Sequence, residues 1–256
     1  MNNRHLSYRS SNPALNSNTF KNVVKKDSLH LNETMTIRGT VDKTALALSL
    51  LLISGYYCYS LGEQSLTLIL TLTLIGLFLG LILFITTILK KSWAPFTVPF
   101  YSISQGFVLG GVSFYYNSQY EGIVLQAILL TILVLISMLF AYRSKIIKPT
   151  ENLKLGVFSA LMAVSLLYIV GFIMSFFGSG IPILNPNNSS LISIGFSVLV
   201  VILGAFCLVI DFDFIEEGAE KGVPKYMEWY GAFGLLVTLI WLYLEIIKLL
   251  AKLRNR

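Results

Sequence analysis

Apolar positions along the chain gather into long blocks without charge, separated by short polar connectors. Six charge-free runs approach or exceed the length of a membrane crossing: Thr44 to Leu61, Leu66 to Leu89, Phe96 to Tyr116, Gly122 to Tyr142, Leu155 to Phe177 and Leu191 to Ile210. A seventh, Trp229 to Leu250, is interrupted by Glu245 and Lys248. A spanning helix needs about 20 apolar residues, because an unpaired backbone group in hydrocarbon costs several kcal/mol and a helix pairs its groups within one segment. The pattern predicts seven transmembrane helices. Connectors such as Gly62 to Ser65 and Asn117 to Glu121 leave room only for hairpins between antiparallel neighbours. The expected fold is an all-α, polytopic helical bundle over residues 44–256, preceded by a polar, basic tail over residues 1–43. Pro182, Asn185, Pro186, Asn187 and Asn188 break the chain between the fifth and sixth runs, and Pro95 and Pro99 bracket the start of the third.

Composition agrees with this reading. Of the 256 residues, 55% are hydrophobic and 12% charged, against roughly 25% charged in an ordinary soluble domain. A soluble enzyme and a nucleic-acid module are both disfavoured, despite the net charge of +6. Cys58 and Cys207 each lie inside an apolar run and suggest no disulfide framework. The tail contains no apolar stretch of signal-peptide length, so the first run is expected to act as its own targeting signal.

Lys and Arg collect on the cytoplasmic side of a membrane protein. The tail carries seven, and the connectors after the second, fourth and sixth runs are basic, while those after the first, third and fifth have none. The N-terminus is therefore expected inside. Seven crossings then put Lys248, Lys252, Arg254 and Arg256 on the opposite side, which conflicts with the same rule. Either the last segment crosses incompletely or those charges are tolerated there.

Candidate chemistry is sparse. Ser102, Gly106, Gly110 and Ser113 recur at helical spacing with Gln105 beside them, a stripe suited to close packing or to a polar path. Asp211 directly abuts the sixth apolar run, with Asp213, Glu216, Glu217 and Glu220 following. Glu245 is the one acid well inside a run; such residues usually face the interior of a bundle and mark an ion or proton path, the alternative being a structural hydrogen bond or a pair with Lys248, three residues on. Both histidines, His5 and His30, fall in the tail, so an intramembrane zinc or serine-histidine protease is not expected. There is no GxGD segment, P-loop or EF-hand loop, and neither enzymatic activity nor a cofactor is expected. With a turn near Glu220, a simple antiparallel hairpin puts Asp211 level with Glu228 to Tyr230 and leaves Glu245 roughly 24 Å deeper. Glu228 is thus an alternative partner for Asp211.

Several segments carry a resemblance. Ser11-Asn12-Pro13-Ala14-Leu15, Gly39-Thr40-Val41-Asp42-Lys43-Thr44-Ala45, Tyr120-Glu121-Gly122-Ile123-Val124-Leu125-Gln126-Ala127 and Pro224-Lys225-Tyr226-Met227-Glu228-Trp229-Tyr230 resemble the YccA-like bacterial branch of the Bax inhibitor family. Trp241-Leu242-Tyr243-Leu244-Glu245-Ile246-Ile247 is similar to the last helix of that family. The resemblance implies seven helices with the last one central, a bacterial inner membrane, and in some members a pH-sensitive calcium leak gated by one acid on each of the last two helices. By motif Asp211 matches the first acid and Glu245 the second, where the family has aspartate; Gln105 stands where related sequences commonly carry glutamate. Two carboxyls in a dry site titrate as a coupled pair, and loss of the shared proton adds repulsion that opens a path. Such hard oxygen ligands suit calcium. The branch also implies a different role, a non-conducting regulator that binds a membrane protease or quality-control complex, for which the basic tail is the contact element. That tail is equally suited to attract anionic lipid of the bilayer.

Overall fold

The structure, a computed structural model, describes residues 34–62 and 64–256. Most of the basic tail, with His5, His30 and the Ser11 to Leu15 segment, lies outside the described residues. Seven long helices follow in order: α1 (Ile37–Gly62), α2 (Leu66–Leu89), α3 (Ala94–Gln119), α4 (Ile123–Arg143), α5 (Glu151–Phe176), α6 (Leu191–Glu220) and α7 (Met227–Arg254). Short 3-10 turns occupy Lys91–Trp93 and Pro182–Leu184. Among the described residues the only extended pairing is an isolated antiparallel bridge between Thr34 and Pro224.

Six of the seven helices are long and apolar enough to cross a membrane. The exception is α3, which at 26 residues has the length but is diluted by Ser102, Ser104, Gln105, Ser113 and Asn117. Burial then ranks the helices. In the most apolar stretch of α7, 67% of residues are buried, against 17–22% in α1, α2, α4 and α5, whose outward faces are lined with exposed leucine, isoleucine and phenylalanine. α7 is the most buried of these helices.

Helix ends depart from the apolar runs because capping, not hydropathy, fixes them. α1 starts seven residues ahead of Thr44, where the Thr36 hydroxyl accepts from the Gly39 N–H at 3.0 Å and satisfies one of the free donors of the first turn. α6 continues ten residues past Ile210. It closes where the Gly222 N–H donates to Ala219 O and the Val223 N–H to Gly218 O, a Schellman arrangement that needs the left-handed φ of +60° at Gly222. Asp211, Asp213, Glu216, Glu217 and Glu220 are therefore all helical.

The chain divides into two compact units. The first comprises the described residues up to Tyr115 together with Asp211–Ile240. Here α3 packs closely on both α1 and α2 through glycine. A Cβ on Gly106 would run into Ser54 Oγ, Leu51 O and Gly55 N, and one on Gly110 would press on Gly55 O and Cys58 of α1. Gly76 and Gly80 of α2 meet Ser104 O and the Gln105 amide in the same way. Small residues at these crossings let backbones approach and gain dispersion contact where lipid offers no hydrophobic drive. Phe84, Tyr101, Tyr230 and Phe233 complete this core, with Tyr101 and Phe233 edge to face at 5.1 Å.

The second unit comprises Tyr116–Ile210 with Trp241–Arg256. Val157, Cys207 and Ile210 form a small apolar cluster, packed over by Leu153, Leu161, Phe206 and Trp241. The α5–α6 connector is ordered by its asparagines. Asn185 Oδ1 accepts from the Asn187 N–H, Asn188 Oδ1 from the Ser190 N–H, and the Asn188 amide donates to Pro182 O. The turn residues legible in the sequence thus build a fixed element.

Candidate functional site: buried charges on the last two helices

Within the first unit Asp211 is 0% exposed and accepts a hydrogen bond at 2.5 Å from the Thr238 hydroxyl of α7. It lies opposite Thr238, not level with Glu228 to Tyr230. The correction follows from the Gly222 cap, because extending α6 to Glu220 and starting α7 at Met227 moves the turn towards the C-terminus and shifts the level partner with it. Glu228 is engaged elsewhere. It is 1% exposed, and its carboxylate accepts from the Thr36 N–H and the Thr36 hydroxyl, each at 2.9 Å, and from the Lys43 ammonium. A carboxylate at the first turn of α1 is doubly favourable, since free N–H groups point at it and the helix dipole is positive there. The Lys43 ammonium also stands 6.0 Å from the Trp229 ring centroid.

Asp213 is half-buried. Two residues on from Asp211, it points roughly 200° away around α6. Gln105 stacks its amide over Gly80. At the turn between α2 and α3, burial pushes the pKa of the Lys91 ammonium down to about 8, and the group sits 5.5 Å from the Tyr230 ring centroid.

Within the second unit Glu245 is 3% exposed. The Tyr168 hydroxyl of α5 donates to both carboxylate oxygens at 3.0 Å, and the Lys248 ammonium donates to one of them at 3.0 Å. Lys248 also lies 5.1 Å from the Tyr168 ring centroid. Each buried acid thus has its own donors: Thr238 for Asp211, Lys43 and Thr36 for Glu228, Tyr168 and Lys248 for Glu245. Among the described residues no group of three or more His, Cys, Asp or Glu side chains is placed to hold a metal ion.

A family model described as Bax inhibitor 1 like matches residues 12–255. The chain belongs to the Bax inhibitor 1-like family. No curated protein and no solved structure matches it. Family membership agrees with the membrane-helical fold.

Sequence reasoning missed Thr238, Tyr168, Lys43 and Thr36 as partners of the acids. A signal existed for two of them. A tyrosine within an apolar helix needs a partner for its hydroxyl, and a threonine three residues ahead of a helical position is a cap candidate. Tyr168→Phe is expected to lower stability by about 1.5–3 kcal/mol, the range for a hydrogen bond to a charged group. Thermal melts of the purified protein check this, and the same substitution beside Glu245→Gln should have less effect.

Proposed function

We propose that this family member is a pH-sensitive cation leak of a bacterial inner membrane, with calcium as the candidate ion and transport rather than catalysis as its activity. The observation that carries the reading is that each of the last two helices holds a fully buried carboxyl within its apolar length, Asp211 on α6 and Glu245 on α7. Such acids face the protein interior and mark ion or proton paths. The bonding pattern recasts the gate. Asp211 acts through Thr238, where a carboxyl kept neutral in a dry setting tolerates burial and an ionised one draws water or a cation to itself. Glu245, neutralised by Lys248 and held by Tyr168, is the fixed member.

We place seven crossings in the membrane, with α3 carried by its glycine contacts to α1 and α2, and the N-terminus in the cytoplasm. The basic end of α7 fits that orientation, because Lys248, Lys252 and Arg254 have partners within the protein. Lys248 bonds Glu245, and Arg254 bonds Glu121 O and Gln126 Oε1.

In liposomes carrying a calcium reporter, flux is expected to exceed that of empty vesicles and to rise with pH between about pH 6 and 8. Asp211→Asn should hold it low throughout, and Glu245→Gln should alter its size while keeping its pH slope. Flux equal to empty vesicles, or a pH slope unchanged in Asp211→Asn, overturns the reading.

A further inference from the structure

Lys252 is 2% exposed. A lysine in the last turn of a spanning helix ordinarily snorkels to the interface or bonds its own helix's terminal carbonyls. Lys252 does neither. Its ammonium turns into the second unit, donating to Ile183 O at 2.8 Å, Ser193 O at 3.3 Å and Ser197 Oγ at 2.9 Å. Ile183 belongs to the 3-10 turn of the α5–α6 connector, and Ser193 and Ser197 to the first turns of α6. The Ser193 hydroxyl also donates to Ile183 O at 3.1 Å, fixing the connector to the helix. Ser193 and Ser197 are themselves buried.

Three neutral oxygens converge here on one positive charge, with no carboxylate among them. Carbonyl and hydroxyl oxygens of this kind replace the hydration shell of a small monovalent cation. We propose that this cage is a monovalent-cation site whose resident ion is the chain's own tethered ammonium, which closes the C-terminal end of the α7 face. Glu245, Lys248 and Lys252 share that face at i, i+3 and i+7. With both lysines charged the face carries one more positive than negative charge and repels cations. Without Lys252 the remaining pair is neutral and the cage is open. The closing effect rests on the leak reading; the cation site does not.

The test uses the full chain with methylammonium chloride as probe and choline chloride as the control for ionic strength. Lys252→Ala empties the cage and is expected to melt below wild type. Methylammonium should raise its melting temperature by about 3 °C, and choline should not. Lys252→Met fills the volume without a charge and should not respond to methylammonium. No selective stabilisation of Lys252→Ala overturns the site, as does an equal response in Lys252→Met, or failure to recover folded Lys252→Ala when purified in methylammonium. In liposomes with a potassium reporter, Lys252→Ala should pass potassium roughly tenfold faster than wild type, and methylammonium should slow it. If the thermal rescue holds while wild type and Lys252→Ala are both silent to potassium and to calcium, the site stands and the leak reading falls. If wild type leaks and the rescue fails, this inference falls alone. Equal potassium flux in a leaking wild type and Lys252→Ala overturns the closing role.

Discussion

Lys43→Met is expected to lower the unfolding free energy by about 3 kcal/mol, because it leaves the buried carboxylate of Glu228 without its counter-charge. Glu228 would keep the two donors of Thr36 but lose its counter-charge. The double variant Lys43→Met with Glu228→Gln should recover much of the loss, since a neutral amide oxygen still accepts from Thr36. A double-mutant cycle from detergent unfolding isolates the coupling. A cycle that sums to zero would mean that the pair is not formed in the folded protein.

Gly106→Ala is expected to be nearly as damaging, at about 2–3 kcal/mol. The added methyl would meet Leu51 O at 2.5 Å and Gly55 N at 2.9 Å as well as Ser54 Oγ. Two of these neighbours are backbone atoms of α1, so relief requires the helices to separate. Gly80→Ala provides the contrast. Its methyl meets the end of the Gln105 side chain at 2.5 Å, which swings aside, and the gain of about 1 kcal/mol in helix propensity offsets the displacement. Melting of both variants under one detergent condition distinguishes a rigid crossing from an adjustable one, and equal losses would contradict the packing described here.

Apolar runs made the interiors of the helices legible, because a long charge-free stretch has few other uses than a membrane crossing. They misplaced the ends of α1 and α6, where hydropathy stops but hydrogen bonding continues. The stop signal for α6 was present in Lys221-Gly222-Val223-Pro224, a basic residue, a glycine and a following proline. Read as a cap, it would have moved the hairpin and pointed Asp211 towards Thr238. Buried acids could be picked out as unusual residues in apolar runs, but their partners could not. Glu228 finds Thr36 across 192 positions and Glu245 finds Tyr168 across 77, and a single chain without a fold gives no means of choosing such pairs. Lys252 was hardest of all. In the sequence it is one more basic residue at a helix end, and only the position of the α5–α6 connector shows that its amine turns inward.

Thr36, the cap of the first helix, is itself held by an acid from the last one. On the ribosome, therefore, α1 emerges long before the carboxylate that completes its first turn and neutralises Lys43. At about 5–20 residues per second, a separation of 192 positions is a delay of roughly 10–40 s. Throughout that interval the nascent α1 must satisfy those groups with water or lipid headgroups, so the first unit cannot mature until Glu228 has been translated.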